Sequence, residues 1–252
     1  MDRRGFRYEQ MLPHKILRRR KALPAAFIGL GGLEWHGHHL AVGNDALKAE
    51  RLCELAAERS GGFAFPTIWY GEPRTVSLLE ADVDPDGAVK QAMGFRPEKF
   101  RSPFAGKTPE DQERFYEDLV YHVLVQMNQL EMRGVCLLCG HYPLHKMASK
   151  AVERFNAQYV DTKAYAGIEF HYWPGSEKVG GDHAAKWETS YLWHLRPECV
   201  QLERLSSVER PLLGIHGEDP RKTASREIGR EACDLIVEGM IKKARELVSL
   251  TQ

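Results

Sequence analysis

Apolar residues fall along this chain in two textures, short unbroken runs and longer stretches with helical spacing. Ala25 to Leu30, Phe63 to Tyr70, Val135 to Cys139 and Ala164 to Tyr172 are short apolar runs, the texture of strands buried in a sheet. Residues from about Tyr8 to Lys21 alternate apolar and basic at helical spacing and predict a first helix. Ala46 to Arg59 sets Leu47, Leu52, Leu55 and Ala56 on one face, with Gly61-Gly62 as its stop. Thr108-Pro109-Glu110-Asp111 is a helix start: a capping hydroxyl, proline at the first position, acids in the first turn. That helix runs to about Met132, where Arg133-Gly134 breaks it. Leu144 to Gln158 reads as helical, and Pro220 to Leu250 as mostly one long helix with Leu235, Ile236, Met240 and Ile241 on its apolar face.

Strands alternating with helices predict an α/β fold: a single domain over residues 1–252 with a mostly parallel central sheet flanked by helices. Glu80 to Gly106 is charged, holds Pro and Gly, and has no period. It is expected to be an insertion or lid-like segment over about 80–107, with a plain surface loop as the equal alternative.

Composition narrows the partners. Hydrophobic residues make up 43% and charged residues 28%, which fits a soluble globular protein. Lys plus Arg equals Asp plus Glu at 35 each, so nothing electrostatic calls for nucleic acid, and nothing opposes self-association. No run approaches the roughly 20 apolar residues that cross a bilayer, so no membrane partner is expected. Arg18-Arg19-Arg20-Lys21 reads as the solvated end of the first helix. The cysteines, five in number and mostly in apolar surroundings, predict reduced thiols and a cytoplasmic setting. Cys136 and Cys139 form a C-x-x-C, but inside a buried strand and with no second pair to complete a zinc site.

The chemistry concentrates after the first strand, in Glu34-Trp35-His36-Gly37-His38-His39-Leu40 and then Gly43-Asn44-Asp45. In an extended segment residues two apart point the same way, so Glu34 and His36 can face one site, with Asp45 returning to it at the start of the next helix. His141 follows the third strand, where parallel sheets place ligand sites. Gly180-Gly181-Asp182-His183 leads on to Glu188, five residues after the histidine. Taken singly, a strand-end capping His and a surface Glu explain these residues as well.

Together the segments resemble the creatininase family, with its E-x-H-G-x-H-L, G-x-D, strand-end G-H and H-A-x-x-x-E-T-S motifs. The matching residues are Glu34, His36, Gly37, His39, Leu40, Gly43, Asp45, Gly140, His141, His183, Ala184, Glu188, Thr189 and Ser190, and Gly217 to Arg221 follows the family's C-terminal pattern. The resemblance implies a homo-oligomeric amidohydrolase, a hexamer, with two divalent metal ions per subunit and a small-molecule amide substrate. It implies Glu34, Asp45 and His141 as ligands of the first metal, and His36, Asp45 and Glu188 of the second, with Asp45 bridging. His183 and Glu188 are the implied catalytic residues, His183 passing a proton to the leaving nitrogen, and His39 orients a ligand from behind. Carboxylates and imidazoles suit zinc or manganese, and iron after them.

The departures bear on substrate. Creatininases proper carry Glu two residues after the strand-end His, then Asn; here stand Pro143 and Leu144, so the second metal relies on Glu188 or the site holds one ion. Trp35 replaces a Gln and His38 a Pro. Trp35, Tyr142 and Arg74 are the candidate substrate contacts with His39, and His145 is a further possibility. Creatinine itself is not the expected substrate. A formamide-type deformylase and a non-catalytic metal-binding scaffold are the alternatives.

Overall fold

The computed structural model describes residues 5–71, 86–96, 108–173, 181–208 and 212–251. Its sheet has the order β2-β1-β3-β4, with β1 Ala25–Leu30, β2 Phe63–Ile68, β3 Gly134–Cys139 and β4 Lys163–Gly167, every neighbouring pair parallel. The strict alternation of a strand explains how continuous apolar runs serve two layers. Ala25, Phe27, Cys136 and Leu138 face one layer, α2 (Asn44–Ser60) and α9 (Arg226–Ser249). Ala26, Ile28, Leu30, Val135, Leu137 and Cys139 face the other, α4 (Pro109–Gln129) and α5 (Leu144–Gln158). Cys136 and Cys139 therefore point to opposite faces, and all five cysteines are free. Each fully buried Leu or Phe in these layers contributes about 1.5–3 kcal/mol.

The expected first helix is split into a 3-10 turn at Tyr8–Gln10 and α1, Pro13–Ala22, which starts where Pro13 supplies a preset first turn. Thr108 caps α4 in a reciprocal capping box with Asp111, as its sequence predicts. The expected strand from Ala164 to Tyr172 stops at Gly167, and Glu169–Tyr172 turns into a short helix, α6. The C-terminal helix is interrupted at Ala224: α8, Pro220–Thr223, precedes α9, whose cap is Ser225 accepting from the Ile228 N–H. A helix absent from the sequence reading, α7 at Lys186–Leu195, packs against α2 and α9. Most of the lid-like segment lies outside the described residues. The part within them includes α3, Ala88–Ala92, whose Val89 is fully buried with Trp35.

Candidate metal centre

The chain leaves β1 toward one edge of the sheet and returns to β3 on its other side. A crevice opens at such a reversal, outside the carboxyl ends of the two strands. Glu34 and His36 follow β1, His141 follows β3, and Asp45 stands in the first turn of α2, where a carboxylate suits the helix dipole. Gly140 is what allows α2 so close: a Cβ there would lie 2.2 Å from the Asp45 carbonyl oxygen. Glu188 arrives from the first turn of α7.

These five side chains are between 1% and 4% exposed. Asp45 Oδ2 lies 3.1 Å and Glu34 Oε2 3.0 Å from His141 Nδ1. On the other side, Asp45 Oδ1 lies 3.1 Å and Glu188 Oε2 3.4 Å from His36 Nε2. Donors around a tetrahedral zinc with bonds of about 2.0–2.1 Å stand roughly 3.3 Å apart, the same scale. The structure thus brings together Glu34, Asp45 and His141 in one group and His36, Asp45 and Glu188 in another, each with donor atoms within 4.8 Å of one another. Glu34, His36 and His183 form a third such group.

The histidine tautomer sharpens the fit. His36 Nδ1 lies 3.2 Å from the Glu34 carbonyl, which can only accept, so Nδ1 carries the proton. In the neutral ring Nε2 then presents a lone pair toward two carboxylates and makes no hydrogen bond. Lone pairs and carboxylates facing one point in a dry pocket call for a cation. The ionisation states carry the same strain. Burial pushes Glu34 up to about 8 despite His141 and His36. Burial also opposes ionisation of Glu188, but Lys48 and then His36 outweigh it and hold that carboxylate down at about 2. His36 is disfavoured as a cation by burial, yet Asp45 and Glu188 raise it well above the usual imidazole range.

Local backbone aims Glu188. Asp182 accepts the Trp187 and Glu188 N–H groups and so caps α7. Ala184 sits in the left-handed region at φ 53° and turns its N–H onto Glu188 Oε2 at 2.8 Å. His183 Nε2 donates to the Trp35 carbonyl at 2.8 Å, leaving Nδ1 3.9 Å from Glu34 Oε1. His39 Nε2 meets Thr189 Oγ1 at 2.9 Å, and Thr189 in turn bonds the Ala184 carbonyl, so His39 braces the turn that carries Glu188.

A cavity of about 360 Å³ opens onto Glu34, Asp45, His141, His183 and Glu188, walled by Tyr142, Pro143, Asp182 and His216. The Trp35 indole is not part of that wall. It is buried with Val89, Met93 and Leu213, and its contribution to the site is its carbonyl. His145 lies off the cavity, beside Ser149 and the His171 ring. Arg74 lies outside the described residues.

Sequence reasoning missed Lys48, Glu169, Asp182 and His216. Lys48 and Glu169 are fully buried beside Glu188, with Lys48 Nζ 3.3 Å from Glu169 Oε1. The available signal for Lys48 was a charge on the apolar stripe of α2, in step with Asp45, Leu52 and Ala56. Asp182, just ahead of a helix that itself escaped notice, gave none.

Converging carboxylates and imidazoles at the carboxyl end of a parallel sheet point to the class of metal-dependent α/β hydrolases. The family model described as creatinine amidohydrolase matches residues 9–78 and 88–244, and the chain belongs to the creatininase family, whose members are amidohydrolases acting on C–N bonds. It is 23% identical to a creatinine amidohydrolase of Pseudomonas putida over 86% of this chain and 87% of that protein. Among solved structures, a creatininase designated Mn superposes with a TM-score of 0.68 at 19% identity, covering 95% of this chain and 97% of its own. A mutant creatininase of Zn-Zn type superposes at 0.67 and 20% identity, covering 96% and 97%. At these identities the likeness establishes the fold.

Proposed function

We propose that this chain hydrolyses a C–N bond of a small cyclic or linear amide, other than creatinine, at a centre for two divalent cations. The observation that carries the reading is Asp45, whose two oxygens face two separate ligand groups: Glu34 with His141, and His36 with Glu188. Two such ions supply Lewis acidity and lower the pKa of water to about 7. Zinc and manganese are named for the related structures and suit these donors, with iron as a third option.

His183 supplies the proton chemistry. Burial, and then His36, bring its ring down to about 4, so it is neutral at pH 7. Its Nδ1 faces the site and is free to take a proton from attacking water and return it to the leaving nitrogen. Tyr142 borders the bound substrate, and His39 keeps the Glu188 turn in place. Pro143 lines the cavity without a donor, at the position where creatininases proper carry Glu, which supports a substrate other than creatinine. The cavity's size fits a small molecule.

Elemental analysis of the purified protein tests the centre: wild type is expected to hold two ions and His36→Ala one. Wild-type protein that takes up no divalent metal refutes the reading. A panel of cyclic ureides and formamides then separates ring opening from deformylation, and metal binding with no turnover on either favours a scaffold. We also propose a homo-oligomer, a hexamer by family likeness, supported by exposed Leu12, Leu17, Tyr70 and Phe115 and testable by native mass spectrometry. No helix among the described residues is long and apolar enough to cross a membrane, and the buried free thiols support a reducing, cytoplasmic setting.

A further inference from the structure

Behind the ligand groups lies a charge cluster that the reaction does not use. Lys48, on α2 one turn beyond Asp45, is fully buried and absent from the cavity wall. Its Nζ donates to Glu188 Oε1, lies 3.3 Å from Glu169 Oε1 and 3.7 Å from Asp45 Oδ1, and sits over the Tyr142 ring at 5.0 Å. Glu169, on α6, is fully buried, and its oxygens have no hydrogen-bond partner. One ammonium thus stands against three buried carboxylates, of which Glu169 alone belongs to neither ligand group. Glu188 divides its oxygens: Oε1 to Lys48, and Oε2 to the Ala184 N–H and the His36 side.

We propose that Lys48 is a positioning residue that keeps Glu188 and Glu169 apart as charges and so holds Glu188 Oε2 toward the second cation. This rests on the two-cation reading. Without the ammonium, two like charges share a dry pocket, and the unfavourable pair is relieved by turning Glu188 away. Of the first group, Glu34, Asp45 and His141, Lys48 approaches only Asp45, on the oxygen that faces His36, at 3.7 Å, so this group depends on it far less.

Zinc titration by calorimetry and elemental analysis after dialysis test the assignment in wild type, Lys48→Met and Lys48→Met/Glu169→Met. Lys48→Met is expected to weaken the second ion 10- to 100-fold and the first far less. The double variant removes both charges and is expected to recover the second ion, a rescue that loosened packing would not produce. Lys48→Met that keeps both ions at wild-type affinity overturns the proposal, and so does a double variant that still lacks the second. Should Lys48→Met not fold, the double variant decides: two ions support the proposal, while one ion, or failure to fold, overturns it. Wild type with fewer than two ions refutes the two-cation reading itself, before any variant is compared.

Discussion

Gly140→Ala tests how the site is built. An added Cβ would lie 2.2 Å from the Asp45 carbonyl oxygen, 3.0 Å from its carbonyl carbon and 3.1 Å from Ala49 Cβ. Carbon and oxygen in contact stand about 3.3–3.6 Å apart, so α2 and the end of β3 must separate by roughly 1 Å. Metal ligation tolerates about ±0.2 Å. The shift pulls Asp45 from His141 and disturbs both cation positions at once. Overpacking of this kind costs about 1–3 kcal/mol, and at about 2–4 °C per kcal/mol the melting temperature should fall by roughly 2–12 °C. Calorimetric melting and metal content measure the two effects together. Gly32→Ala is the control, since its Cβ would meet only His141 Cγ at 4.0 Å. A Gly140→Ala protein that holds both ions at wild-type affinity refutes the argument that this close approach sets the ligand geometry.

Cys53, Cys136, Cys139 and Cys233 are buried and Cys199 only partly so; burial raises every one of these thiols, so in native protein Cys199 should react first, through its accessibility, with an aromatic disulfide reagent, with all five reacting in denaturant. Rapid native modification of several thiols would contradict the packing described. Phe155→Ala, at a fully buried position on α5, should cost about 3–5 kcal/mol in denaturant unfolding while leaving metal content unchanged.

The apolar runs at β1 and β3 were legible because both faces of these strands are covered, which removes polar positions from them. That Glu34, His36 and Asp45 come together was legible because their spacing follows turns that keep short-range order: Glu34 and His36 two apart, Asp45 at a helix start. What escaped notice depends on packing. The segment Lys186–Leu195 holds Trp187, Thr189, Ser190, Tyr191, Trp193 and His194, residues of middling helix propensity, and its helix is supported by Asp182 accepting its first N–H groups and by docking on α9. Glu169 lay inside an expected strand, and its short helix packs on α9 and its carboxylate faces Lys48, contacts that no local pattern encodes. Trp35 was expected beside substrate, yet its ring turns toward Val89 while its carbonyl accepts a hydrogen bond from His183 Nε2.

The way the two proposed cation positions are divided along the chain bears on biosynthesis. Glu34, Asp45 and His141 are all synthesised roughly fifty residues before Glu188, and β1 pairs directly with β3. Elongation at about 5–20 residues per second opens an interval of seconds between them. By then the chain holds every residue of the first proposed cation pocket and two of the three of the second, His36 and Asp45, so the second pocket alone waits for the last third of the polypeptide.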